Sequence, residues 1–146
     1  MSRIKTIALV AVACLAFGAS LAAASGGKPK LQLHATKLGK ILVNSRGYTV
    51  YAFDADKRNK DACQNIPGCL QEWPAVTGGG TLAGPGVKKS LIGKIKLQGG
   101  GTQLTYAGHP LYTYISDSSP HETTFVNLLQ FGARWPALNA KGKLIK

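Results

Sequence analysis

The chain is poor in the residues that build most catalytic and metal sites. Its 146 residues include six acidic residues, three histidines, three cysteines and a single methionine. That methionine is Met1, which leaves with the export signal described below, so a thioether copper ligand is excluded from the mature chain. No Gly-x-Ser-x-Gly nucleophile elbow and no His-x-x-x-His pair follow the signal. These absences predict a protein that is not an enzyme and holds no cofactor.

Two weaker alternatives stay open. A strand expected at 110–114 lies between His109 and His121, so folding could bring these two histidines together as weak metal or redox candidates, with Asp117 nearby. Asp56 and Asp117 could also act as paired carboxylates on a glycosidic bond. The first alternative is a periplasmic metal-binding or redox-associated protein, and the second is an extracellular hydrolase.

Acidic residues are also scarce relative to basic ones. The chain has 18 basic and 6 acidic side chains, and the signal contains two of the basic ones, which leaves 16 against 6 and a net charge of +10 with neutral histidines. Such an excess favours anionic envelope polymers or another envelope protein as partners. Because the basic residues form small separate groups, no dedicated nucleic-acid site is predicted. A solvated positive surface without a partner explains the composition equally well.

The longest apolar run is an export signal. Arg3 and Lys5 precede an apolar core at 7–17, which is too short to span a bilayer comfortably. Alanines at 22–24 fit a cleavage site before Ser25. The sequence therefore predicts a periplasmic or secreted protein with no transmembrane segment after cleavage, an uncleaved anchor being the alternative.

Cysteine use fits an oxidising compartment. Residues 11–13 lack the leucine usual before a lipidated cysteine, which argues against a lipid anchor at Cys14. The mature chain then keeps Cys63 and Cys69, and the loop between them contains a Pro-Gly pair that favours a turn. The pair predicts a structural disulfide rather than a redox Cys-x-x-Cys site.

A duplication is the most informative positive feature. Five pairs of residues recur at an offset of 61: Gly47/Gly108, Val50/Leu111, Tyr51/Tyr112, Phe53/Tyr114 and Asp56/Asp117. After one extra residue in the second copy, the match resumes with structural Trp-Pro pairs, Trp73-Pro74 and Trp135-Pro136. A fixed period of this kind predicts two similar structural units.

Each copy predicts a hairpin rich in β-branched and aromatic residues. The strands and turns are expected at 39–43, 44–47 and 48–53 in the first copy, and at 102–106, 107–109 and 110–114 in the second. Alternation at 31–35 offers a further strand, as does the second half of 91–97. The clearest helical candidate is short, at 122–131.

These elements predict an all-β domain, mainly antiparallel and rich in hairpins, with at most short helices. The expected order is a signal peptide at 1–24, a flexible lead at 25–36 and one β-rich domain at 37–146. Repeat 1 covers 38–76 and repeat 2 covers 99–138. Two copies of about 40 residues would each expose an apolar face alone, so they are expected to share one core.

Both copies match the pattern Y-x-[FWY]-x-x-D, through Tyr51, Phe53 and Asp56 in the first and Tyr112, Tyr114 and Asp117 in the second. With the Trp-Pro pairs and the two cysteines, the chain resembles the bacterial family of predicted secreted proteins and lipoproteins named for this motif, a secreted repeat of unknown function. The resemblance implies an extracytoplasmic β-rich module and carries over no catalytic residue. After Asp117 the chain departs from the Gly- and Asp-rich turn of the family.

The motif itself suggests physical roles. Its two aromatic residues point to one face of a strand, since alternate side chains share a face, and this predicts core packing, with an aromatic platform for a glycan as the alternative. Each aspartate follows its strand and is expected to accept backbone N–H bonds, with a cation site or a paired acidic site as alternatives. The sequence predicts an exported, non-catalytic binding or structural module.

Overall fold

The computed structural model describes residues 30–78 and 82–146, where short strands joined by turns dominate. The strands are β1 (Lys30–Thr36), β2 (Gly39–Val43), β3 (Leu82–Ala83), β4 (Ile92–Lys96), β5 (Thr102–Tyr106), β6 (His109–Pro110), β7 (Leu128–Gln130), β8 (Ala133–Trp135), β9 (Ala137–Leu138) and β10 (Leu144–Ile145). The helical elements are α1 (Cys69–Glu72) and the 3-10 turns Cys63–Asn65 and Lys89–Leu91. The predicted all-β fold class is confirmed.

Four small sheets result from these strands. The orders are β2-β1-β3, β4-β5-β6, β7-β8 and β9-β10. Pairing in the described residues is antiparallel apart from the short parallel contact between β1 and β3. No helical segment of the described residues has the length and apolarity needed to cross a bilayer.

The flexible lead is shorter than predicted. Much of the expected lead, 25–36, is β1, which pairs with β2 along most of its length. Leu31 is 1% exposed and packs into the aliphatic core, so burial of this side chain holds the segment in the sheet. The predicted signal at 1–24 and the rest of the lead, 25–29, lie outside the described residues.

The helix predicted at 122–131 is wrong. Asn127 and Phe131 have φ angles of 69° and 55°, which place them in the left-handed region and interrupt any right-handed helix. The segment instead forms β7, and the backbone N–H of Asn127 donates to the carbonyl of Trp135 (2.9 Å). Pairing with the strand that carries a core tryptophan outweighs the local pattern.

The two motif hairpins differ by one residue in their turns. In the first copy Val43 pairs with Thr49, and in the second Thr105 pairs with Pro110. The second turn has positive φ at both central residues, 107–108 (52° and 86°), as a type I′ turn requires. The strand expected at 48–53 is reduced to isolated bridges, because the chain there contacts the other copy.

A pseudo-twofold axis passes between the two motif tyrosines. Tyr51 and Tyr112 exchange two backbone hydrogen bonds, each 2.9 Å long. Flanking N–H-to-carbonyl bonds repeat across the axis: Ala52 to Pro136 (2.9 Å) and Thr113 to Pro74 (3.0 Å), then Asp54 to Arg134 (2.9 Å) and Ile115 to Glu72 (3.1 Å). Each motif segment therefore pairs with the Trp-Pro segment of the other copy, and the copies interlock in one domain.

The core has an aliphatic and an aromatic part. The aliphatic cluster contains buried residues of both copies and of β1: Leu31, Leu42, Val50, Leu104, Leu111 and Leu138. The aromatic cluster contains the buried motif rings, both tryptophans and both cysteines. The motif residues thus meet where the two copies cross.

Candidate functional site

The motif rings and the two tryptophans form a four-ring stack. Phe53 lies on Trp135 (centroids 4.1 Å apart), Trp135 on Trp73 (3.9 Å, planes 5° apart) and Trp73 on Tyr114 (4.0 Å). The stack alternates between copies, since Phe53 and Trp73 belong to the first and the other two rings to the second. Both tryptophans are fully buried, so the stack is a central part of the packing.

The tyrosine and aspartate of each motif bond to the opposite copy. The Tyr51 hydroxyl donates to Asp117, 3.1 Å from each carboxylate oxygen, and the Tyr112 hydroxyl donates to Oδ2 of Asp56 (2.9 Å). Each tyrosine ring also packs edge-on against the tryptophan of its own copy, with centroids 5.1 Å apart in both cases. The motif is thus a reciprocal clasp, in which the tyrosine hydroxyl of each copy donates to the aspartate of the other.

Burial changes the acidity of these groups. Loss of hydration raises the pKa of Asp56 to about 7 and that of Asp117 to about 6, although the tyrosine hydroxyls that donate to them act in the opposite direction. Burial, and then the adjacent carboxylates, raise the pKa of Tyr51 and Tyr112 above the ordinary value, so both hydroxyls stay protonated donors. Each tyrosine–aspartate pair is therefore a hydrogen bond from a neutral phenol to a carboxyl group whose pKa is raised by burial.

The two aspartates are held differently. Asp56 also accepts the backbone N–H of Ala62 (2.7 Å), the turn-fixing bond expected from the sequence. The carboxylate of Asp117 has no hydrogen-bond donor other than Tyr51 among the described residues. Both carboxylates therefore accept bonds within the fold, and Tyr51, Phe53 and Tyr112 are buried. The half-buried Tyr114 and the buried Asp117 also line an open cavity of about 270 Å³.

The chain matches a known family over both copies. A model of that family, described as a secreted repeat of unknown function, matches residues 33–77 and 94–139. The chain belongs to this secreted-repeat family. No curated protein and no solved structure matches it. The matched segments contain the whole of each predicted repeat, 38–76 and 99–138, so the family unit and the duplicated unit coincide.

The repeats of this family member differ in how their long loop is closed. Cys63 and Cys69 form the predicted disulfide, and both are fully buried. At the offset of 62 that relates the two tryptophans, their counterparts are Phe125 and Phe131, which pack against the same aromatic cluster. The sequence analysis missed this correspondence. Applying the offset of 62 to the loop would have shown that two phenylalanines stand where the first repeat has its two cysteines.

The histidines of this secreted repeat lie in different surroundings. His121 stacks on His34, with ring centroids 3.5 Å apart and planes 8° apart. Burial and then the charge of Arg58 lower the pKa of His109. Within the described residues, no three His, Cys, Asp or Glu side chains are grouped so that they could hold a metal ion. The contact between His34 and His121 had no signal in the sequence, since 87 positions separate them.

Charges are segregated between the interior and the surface. Every basic residue from Lys37 to Lys146 is exposed, whereas none of the six acidic residues is: two are buried and four are half-buried. One ion pair, between Lys146 and Asp54 (2.9 Å), occurs in the described residues. The surface is therefore more strongly basic than the net charge alone implies.

Proposed function

We propose that this secreted repeat protein is a non-catalytic module of the cell envelope whose basic surface binds anionic envelope polymers. The observation that carries the proposal is the segregation of charge. Exposed lysines and arginines meet almost no acidic side chain, because the aspartates of the motif are bonded to tyrosines inside the fold. Unpaired surface cations attract polyanions over about a Debye length, roughly 10 Å at moderate salt.

The geometry of the motif supports a non-catalytic role. Asp56 and Asp117, the carboxylates considered for glycosidic hydrolysis, accept hydrogen bonds from the tyrosines of the opposite repeat. Their protonation is set by burial at the crossing of the two repeats. Groups that hold the two repeats together are poorly suited to move during a reaction, so activity and folding would compete for the same atoms.

Strand β4 illustrates the basic surface. Lys94 and Lys96 lie on the same face of the strand and are both exposed, and β4 is an edge strand of its sheet. Lysines on an edge strand also prevent pairing with other chains, a role that needs no partner. Binding measurements separate the two roles, because protection against aggregation requires no affinity for a polyanion.

The test is retention on an immobilised polyanion. The protein purified from its native compartment is applied to long-chain polyphosphate and, as a control, to uncharged dextran. We expect retention on polyphosphate alone, released as salt is raised, because binding releases condensed counterions. Equal retention on both supports, or none on polyphosphate, would refute the proposal.

Paired substitutions locate the surface. We expect Lys94→Gln with Lys96→Gln to lower the salt concentration needed for release, and Lys141→Gln with Lys143→Gln to lower it by a similar amount, because the charge is dispersed. All four side chains are exposed, so the folded state should tolerate each pair. Unchanged release after both double substitutions would show that these lysines do not bind the polymer.

Export by a cleaved signal is part of the same proposal. The family is described as secreted, and residues 1–24 have the composition of a signal peptide. Intact mass spectrometry of the protein from its native compartment should give a chain that begins at Ser25. A chain that begins at a lipid-modified Cys14 would replace this proposal with that of a membrane-anchored lipoprotein.

A further inference from the structure

A polar cavity lies beside the first hairpin turn. Its volume is about 270 Å³, and it lies between β1, the end of β2 and the segment that carries His121. The polar side chains on its wall are Gln32, His34, Ser45, Arg46 and His121. No aspartate or glutamate lines it. Hydrogen-bond donors and the permanent charge of Arg46 thus line the cavity. Arg46 also lines a second cavity with Asp117, but that carboxylate accepts the hydroxyl of Tyr51 and forms no ion pair with the guanidinium among the described residues.

The fold positions His121 on this wall. Its backbone N–H donates to the carbonyl of Gly47 (2.9 Å), and its ring stacks on His34. A Cβ at position 47 would lie 2.8 Å from Nε2 of His121, so the close approach of the ring requires glycine there, in a turn with φ of 86°. The carboxylate of Glu122, the next residue, accepts a hydrogen bond from the backbone N–H of Ser118 (2.9 Å).

Arg46 is held in place but leaves its donors free. Its guanidinium carbon lies 5.5 Å from the centre of the Tyr48 ring, and its backbone N–H donates to Oδ1 of Asn44 (2.9 Å). Among the described residues, the guanidinium has neither an ion pair nor a hydrogen bond. A stacked arginine with free donors is prepared to bind an anion at a low cost in conformational entropy.

The second hairpin turn provides a contrast. There Arg58 lies over Gly108 as His121 lies over Gly47, but the guanidinium of Arg58 donates to the carbonyl of Ala107 (3.1 Å). The guanidinium of Arg58 therefore makes a hydrogen bond within the fold, whereas the guanidinium of Arg46 makes none among the described residues.

We propose that this cavity binds a phosphate group, with the guanidinium of Arg46 donating to two of its oxygens and the imidazoles of His34 and His121 and the hydroxyl of Ser45 completing the site. Paired N–H donors of arginine match the geometry of phosphate oxygens. The phosphate is either a free inorganic ion or part of an envelope polymer. This site goes beyond the dispersed lysine surface, since it requires four side chains from three segments that meet at one cavity.

The imidazole ring signals in NMR spectra report on the site directly, and His109 is an internal control because it lies at the other turn. At constant pH and ionic strength, replacement of chloride by inorganic phosphate should shift the ring signals of His34 and His121 in a saturable manner. The His109 signals should remain in place. Shifts that do not saturate, or that are equal for all three histidines, would overturn the proposal.

Two arginine variants form a matched pair. Arg46→Gln should weaken phosphate binding at least about tenfold, which is the loss of about 1.4 kcal/mol expected for a charge-assisted hydrogen bond. Arg58→Gln should leave the affinity unchanged. Phosphate affinity that survives Arg46→Gln would show that the cavity is not the site.

Two further titrations identify the source of the phosphate and separate this site from the lysine surface. If polyphosphate produces the same shifts, the site accepts a phosphate group of a polymer, and if inorganic phosphate alone does so, the ligand is the free ion. The variant with Lys94→Gln and Lys96→Gln should keep the full response to inorganic phosphate. Loss of that response in the lysine variant would show that binding belongs to the basic surface and overturn the proposal.

Discussion

The two repeats share their interior and differ at their edges. Both contribute a tyrosine, an aspartate and a tryptophan to equivalent places around the axis, with closely similar distances on the two sides. The first repeat closes its long loop with a disulfide, and the second has two phenylalanines there. The first has an open cavity at its turn, whereas the turn of the second is contacted by Arg58 of the first repeat, whose guanidinium donates to the carbonyl of Ala107 (3.1 Å).

The similarity of the interior and the difference at the edges follow from the contacts that the residues make. A change in the stack or the clasp alters contacts of both repeats at once, because the rings alternate and the hydrogen bonds cross the axis. The turns also contact the opposite repeat, since the backbone N–H of His121 donates to the carbonyl of Gly47 (2.9 Å) and the guanidinium of Arg58 donates to that of Ala107 (3.1 Å), but the residues in contact differ between the two turns. The interior therefore uses the same residue types on both sides of the axis, whereas the turns make contacts between the repeats with different residue types.

Loss of either tryptophan should have the largest effect and tests the symmetry of the interior. We expect Trp73→Ala and Trp135→Ala each to lower the free energy of unfolding by about 3–5 kcal/mol, since each removes a buried ring from the stack. Urea unfolding followed by circular dichroism measures it, and Leu129→Ala, at a residue that is 65% exposed, is the control. Two separate unfolding transitions would contradict the shared interior.

Removal of the disulfide tests the asymmetry of the loops. In the chain-entropy model, Cys63→Ala with Cys69→Ala should cost about 2–3 kcal/mol of stability, because the unfolded loop gains freedom. The unfolding midpoint of the wild type in a reducing agent should approach that of the variant. A wild-type midpoint that is insensitive to complete reduction would mean that packing alone closes this loop, as it does in the second repeat.

The clasp should be symmetric in geometry but unequal in strength. Tyr51→Phe leaves Asp117 without a donor among the described residues and should cost about 2 kcal/mol, whereas Tyr112→Phe leaves Asp56 its bond from Ala62 and should cost about 1 kcal/mol. Tyr48→Phe, at a half-buried ring outside the clasp, should change stability by less than about 0.5 kcal/mol. The reverse order of the two clasp variants would show that the Ala62 bond does not protect Asp56.

The last comparison concerns the pH dependence of stability. Burial raises the pKa of Asp56 to about 7 and that of Asp117 to about 6, so the folded state binds more protons than the unfolded state between about pH 4 and these values. Their contribution to stability is complete below about pH 4 and declines as the pH rises through 6 and 7.

Asparagine variants isolate that contribution. The difference in unfolding free energy between the wild type and Asp56→Asn should change between pH 4 and 7, and the change for Asp117→Asn should end near pH 6. Parallel stability curves for the wild type and both variants would show that the carboxyls titrate alike in the folded and unfolded states.

Local patterns predicted much of the fold. The offset of 61 identified both hairpins, alternation identified β4, and the spacing of Cys63 and Cys69 identified the disulfide. These features depend on neighbours in the chain. The helix prediction at 122–131 was wrong because pairing with β8 determines the backbone there. The predicted flexible lead was too long because Leu31 is buried by residues that lie far from it in the sequence.

The crossing of the clasp had a signal that sequence reasoning did not use. Asp56 follows Tyr51 by five positions, and an extended chain advances about 3.3 Å per residue, so a tyrosine hydroxyl is poorly placed to reach the aspartate of its own motif. Which aspartate each tyrosine hydroxyl contacts still depends on three-dimensional packing, as does the contact between His34 and His121. Neither follows from the period of the sequence.

The exchange of bonds around the axis has a consequence for the origin of the chain. Tyr51 and Tyr112 offer each other the same donor and the same acceptor, which is the property of an isologous interface between identical subunits. A protein with one such repeat would present a self-complementary surface that a second molecule of itself could cover. Fusion of two genes for a homodimer would then produce this chain, and the halves could diverge only after they were joined.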